Sequence, residues 1–66
     1  MNLGENIKRA RQAAGMTQVQ LAEALGIYAK DISRWENGVL TPNTMTFRKI
    51  CKTLNASADE ILELKQ

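Results

Sequence analysis

Three glycines, Gly15, Gly26 and Gly38, interrupt the first 38 residues of this chain at intervals of 11 and 12 residues. Each follows a stretch with helical apolar spacing, where a residue able to leave the last turn ends a helix. The starts are marked as clearly as the stops. Asn2 with Glu5, Thr17 with Gln20 and Ser57 with Glu60 each have the residue types and spacing of a capping box. Met16 and Leu21 are spaced as a hydrophobic staple around the second of these. Asn43 follows Pro42 as a further N-cap, and Asn55 stands where a terminating Gly would be expected. The punctuation predicts five short helices, at Leu3 to Ala14, after Thr17 to Gly26, Ala29 to Asn37, Thr44 to Leu54 and Ala58 to Leu64. Only Pro42 breaks a helix outright, β-branched residues never cluster, and no repeat is visible. A compact all-α domain filling residues 1–66 is the expectation.

Composition narrows the function more than the fold. One Cys and no His exclude an internal disulfide and a Cys-rich zinc site, and remove the usual neutral-pH acid–base group. No Gly-rich phosphate loop or metal-ligand cluster is present, so no catalytic residue, metal or cofactor is expected, nor a small-molecule substrate. The apolar runs fall far short of a membrane span, and the Met-Asn-Leu-Gly-Glu start is unlike a signal peptide. A reduced, cytoplasmic setting is expected. Charge is uneven: residues 1–56 hold eight of the nine basic side chains and four of the seven acids, leaving residues 57–66 acidic. The body suits a polyanion and the tail does not.

Residues 18–37 carry a second pattern. Leu21 and Leu25 share one helix face, Ile32 and Trp35 share a face of the next helix, and Ile27 supplies an apolar side chain inside the turn. Ala22 is small where two helices would cross, and Gly26 permits a turn of three or four residues. These are the requirements of a helix-turn-helix. Leu3, Ile7, Met16, Phe47, Ile50, Leu54 and Ile61 recur at helical spacings and complete a predicted core with Leu21, Leu25, Ile32 and Trp35. Cys51 reads as a small buried member of it.

The chain as a whole resembles the Cro/CI-type (XRE) helix-turn-helix family. Four stretches carry the likeness: Ile7-Lys8-Arg9-Ala10-Arg11, Gly15-Met16-Thr17-Gln18 through Leu21-Ala22, Ile32-Ser33-Arg34-Trp35-Glu36-Asn37-Gly38, and Pro42 onward to Leu54. Tyr28 departs from the small hydroxyl residue usual before the third helix, Asn55 from Gly, and Ala10 and Cys51 from Leu and Ala. The resemblance implies a five-helix, lambda-repressor-like DNA-binding domain that reads double-stranded DNA with its third helix in the major groove. On that helix the exposed face offers Ala29, Lys30, Ser33 and Arg34 to bases. Arg and Lys donate to guanine, Ser serves either base class, and an Ala methyl suits thymine. Gln18 is implied as a phosphate contact, and Asn37, Thr41, Asn43 and Thr44 are placed to hold the neighbouring backbone. Tyr28 has three roles open to it: bonding a phosphate, stacking at the groove edge, or covering the turn. Arg9 and Arg48 are further cations of undetermined direction. Asp31 is expected to serve the N-terminus of its helix. The family pattern pairs Arg11 with Glu36 as an ion pair between the first and third helices, from which Arg11 can also reach a phosphate.

The function expected on these grounds is a small transcriptional repressor reading a roughly palindromic operator. A homodimer is expected on DNA, with Ile61, Leu62 and Leu64 as its apolar surface. The rival reading is a protein-interaction module, such as an antitoxin or regulator-binding subunit, that keeps the fold without specific readout. Asp31 and the modest net charge of +2 favour it slightly.

Overall fold

The structure is a computed structural model that describes residues 3–55. Among them lie four helices and no strand: α1 (Leu3–Ala13), α2 (Gln18–Leu25), α3 (Ala29–Glu36) and α4 (Thr44–Leu54). The all-α expectation holds. The fifth helix expected at Ala58 to Leu64, the Asn2 and Ser57 caps, Ile61 and the expected dimer residues Leu62 and Leu64 lie outside the described residues.

Each helix sends one side chain to the centre. Ile7, Leu21, Ile32 and Ile50 are fully buried, one from each of α1 to α4. Burying such a side chain contributes about 1.5–3 kcal/mol, so the four together hold the helices around one point. Ala22, Trp35 and Leu54 are buried beside them. Leu3, Met16, Leu25, Ile27, Phe47 and Cys51 pack half-buried at the margin. Cys51 is thus less enclosed than the sequence suggests, yet burial still pushes its thiol pKa up, opposed by a backbone hydrogen bond.

The local signals act as their chemistry requires. Thr17 and Gln20 form a complete capping box: Thr17 Oγ1 accepts from the Gln20 amide at 3.0 Å, and Gln20 Oε1 accepts from the Thr17 amide at 2.8 Å. Asn43 Oδ1 accepts from the Thr46 amide at 2.8 Å and starts α4. Gly26 ends α2 at φ 73°, ψ 33°, donating to Glu23 O while Ile27 donates to Ala22 O at 3.0 Å. That left-handed residue turns the chain at once into α3, which packs against both α1 and α2.

Gly4, unremarked in the sequence, marks a close approach between α1 and the end of α3. A Cβ there would meet Trp35 O inside van der Waals contact and lie 2.8 Å from Glu36 O. The N-terminus of α1 therefore rests directly on the backbone at the end of α3.

Candidate nucleic-acid interface

Helix α3 is positioned by a clamp at its C-terminal end. Arg11 Nε donates to Glu36 Oε2 at 2.7 Å and Arg11 Nη2 to Glu36 Oε1 at 3.1 Å. Arg11 Nη1 donates to Met16 O at 2.8 Å, and Gln18 Nε2 to Glu36 Oε1 at 3.0 Å. Both charged side chains are nearly excluded from solvent, 9% exposed for Arg11 and 2% for Glu36. A bidentate, fully bonded pair at this depth fixes geometry as well as charge. It ties α1, the loop after it, and the first residue of α2 to the last residue of α3. The sequence pairs Arg11 with Glu36 but does not show that Gln18 and Met16 O complete the network. It also leaves Arg11 free to reach a phosphate, whereas all three guanidinium nitrogens bond inside the protein.

At the other end of α3, Tyr28 is the N-cap in extended geometry (φ −90°, ψ 144°) and its side chain caps nothing. Its carbonyl accepts from the Asp31 amide at 3.0 Å, and its ring is 74% exposed. Lys30 Nζ lies 5.9 Å from the ring centroid, within cation–π reach. Asp31 sits in the first turn and also meets Arg34, 3.4 Å from Nη1 to Oδ1. Ser33 Oγ accepts from Asn37 Nδ2 at 3.2 Å. Lys30 and Arg34 are exposed and Ser33 half-exposed, so these three share an outward surface. Ala29 departs from its expected place: it is half-buried and packs against the core, because the turn delivers it onto the protein before α3 emerges.

The expected phosphate residues are spread over three elements. Gln18 opens α2, Asn37 closes α3, and Thr41, Asn43 and Thr44 lead into α4. Thr41, Asn43 and Thr44 are exposed; Asn43 uses its carbonyl oxygen for capping and keeps its amide N–H groups. Arg9 is exposed and paired with Glu5 at 3.3 Å. Among the described residues no group of His, Cys, Asp or Glu has the arrangement to hold a metal ion, and no helix is long and apolar enough to cross a membrane.

A short capped helix, a left-handed Gly26 and a second helix with an outward polar face are the parts of a helix-turn-helix, and a family model for the helix-turn-helix domain matches residues 4–66. The chain belongs to the helix-turn-helix domain family. This helix-turn-helix domain is similar to the HTH-type transcriptional regulator ImmR of Bacillus subtilis, 40% identical over 62 residues, which are 94% of this chain and 49% of the relative. It is similar to the antitoxin PezA of Streptococcus pneumoniae, 35% identical over 91% of this chain and 38% of the relative. It is also similar to the HTH-type transcriptional activator BcrR of Enterococcus faecalis, 36% identical over 94% of this chain and 30% of the relative. The domain thus spans about half or less of the length of these three relatives.

Proposed function

We propose that this helix-turn-helix domain binds double-stranded DNA sequence-specifically in the cytoplasm and acts as a transcriptional repressor by occupying its operator. The observation that carries the reading is the clamped α3, whose outward face holds Lys30, Ser33 and Arg34 while Glu36 anchors its end. A rigid helix with donors on one face is what major-groove readout requires. Lys30 and Arg34 donate to guanine, Ser33 keeps its hydroxyl proton for a base acceptor, and Ala29 has at most its methyl edge to offer thymine. Gln18, Tyr28, Asn37, Thr41, Asn43 and Thr44 hold backbone phosphates and set the register. One relative named a transcriptional regulator and one named a transcriptional activator support the regulatory part, and neither name gives the repressing direction.

A homodimer on DNA is part of the proposal. Val39, Leu40 and Met45 are 68%, 48% and 71% exposed between α3 and the start of α4. They offer apolar surface that a second copy would cover, and the sequence adds Ile61, Leu62 and Leu64 as candidates for the same role. The antitoxin among the relatives favours a second reading, a module that binds a partner protein without specific DNA readout.

Selection of duplexes from a random-sequence pool separates the two. The expected product is an inverted repeat with half-site centres about 34 Å apart, one helical turn. A lone half-site would remove the dimer. No enrichment at low salt would overturn DNA readout in favour of the protein-binding module.

A further inference from the structure

The outward side of α3 carries an acid as well as two cations. Asp31 lies in the first turn of that helix and Arg34 in its last. They stand three residues apart and so are neighbours on the helix surface. Arg34 Nη1 donates to Asp31 Oδ1 at 3.4 Å. Among the described residues Asp31 pairs with no other cation, and Lys30 turns instead to the Tyr28 ring. The Asp31 side chain is 31% exposed and that of Arg34 47%. A single bond in so exposed a pair adds little stability. An acid on a surface that approaches DNA also repels nearby phosphates, whatever the sequence. What the pair does determine is where the guanidinium points. The bond draws the Arg34 head back toward the first turn, and in a helix-turn-helix the N-terminal residues of the recognition helix meet the base edges. Only Nη1 is engaged, so the edge formed by Nε and Nη2 stays clear of the protein among the described residues. That edge offers two N–H donors in a rigid fork, which fits O6 and N7 of guanine.

We propose that Asp31 is a specificity-determining residue, which aims Arg34 at guanine and restrains it from the DNA backbone. Asp31 acts through Arg34 and is therefore a positioning residue. The inference rests on the DNA-binding reading above and adds a residue which that reading leaves out. Asp31 lowers affinity for every duplex. It lowers affinity most where guanine is missing, because there Arg34 reaches a phosphate only by leaving its partner. The acid that weighs against DNA binding in the sequence thus sharpens the choice of site.

The test selects duplexes from a random-sequence pool with the parent domain, Asp31→Asn, Arg34→Ala and the double variant. Affinity for the unselected pool is then followed as salt is raised. Asp31→Asn keeps the side-chain size and removes the charge that offsets the guanidinium. The pair is exposed, so the melting temperature should stay close to that of the parent. The parent should enrich guanine at a position where Arg34→Ala loses it. In Asp31→Asn that preference should fall several-fold while preferences elsewhere in the site hold. Affinity for the unselected pool should rise, and its fall with salt should steepen by about 0.9 in log–log slope, the contribution of one added phosphate contact. With Arg34 already replaced, Asp31→Asn should leave the base preferences unchanged, the coupling that a double-mutant cycle detects. Base preferences kept in Asp31→Asn, with affinity raised uniformly or not at all, would overturn the role while leaving DNA binding intact. A preference altered by Asp31→Asn in the Arg34→Ala background would make Asp31 a reader of bases in its own right and also overturn it. A parent domain that enriches no sequence at low salt would overturn the DNA reading and this role with it.

Discussion

Glu36 accepts three hydrogen bonds while only 2% of its side chain remains exposed, so its removal should be the most damaging polar change in the domain. Glu36→Ala strands the buried Arg11 guanidinium and should cost about 3 kcal/mol. In a domain this small that lowers the melting temperature by more than about 10 °C, with DNA affinity falling in parallel. An unchanged melting temperature would show that the pair contributes nothing. Gly4 sets two effects against each other. Gly4→Ala gains about 1 kcal/mol of helix propensity but drives a methyl group into Trp35 O and Glu36 O. Backbone atoms cannot rotate aside, so overpacking at about 1–3 kcal/mol should win and thermal denaturation should shift downward. A rise would mean that α1 moves freely over α3. The Arg11–Glu36 partnership is legible from residue types matched to a family pattern. Gly4 is not, because a helical glycine with ordinary backbone angles signals nothing until a neighbouring backbone is placed against it.

At the level of elements, α2 and α3 are eight residues each, too short to persist alone in water. Their order comes from the capping box of α2, the Glu36 clamp of α3 and the burial of Leu21 and Ile32. Among the starts of α2, α3 and α4, that of α3, where Tyr28 stands, has no side-chain cap. Tyr28→Ser should supply the missing bond to the first turn and raise stability by about 0.5–1 kcal/mol. If Tyr28 holds a phosphate, the same variant should bind DNA several-fold more weakly. Stability rising with affinity unchanged would assign Tyr28 to covering the turn. The helix boundaries follow closely from the sequence because Thr17, Gly26, Asn43 and Asn55 act on their immediate neighbours. The half-burial of Ala29 is not legible in the sequence, because its direction depends on the angle at which α3 leaves the turn, a tertiary quantity.

At the scale of the molecule, the central core among the described residues is four aliphatic side chains with Trp35, Leu54 and Ala22 around them. So small a core gains from association with a second copy. The melting temperature should therefore rise with protein concentration, and Leu62→Lys should abolish that dependence and weaken binding to an inverted repeat. A concentration-independent melting temperature, unaltered by Leu62→Lys, would make the domain a monomer. The sequence by itself determined the helix limits, the membership of most of the core, and the polar face of α3, since all three depend on residues within a turn or two of one another. Only the tertiary structure decided that Gln18 and Met16 O complete the Arg11–Glu36 clamp, that Gly4 bears on the end of α3, and that Lys8 and Gln12 face Gln18 and Asn37 across a cleft. Those contacts join positions remote in the chain. Their distances follow from how α1, α2 and α3 pack around the buried isoleucines and leucine, which no local signal encodes.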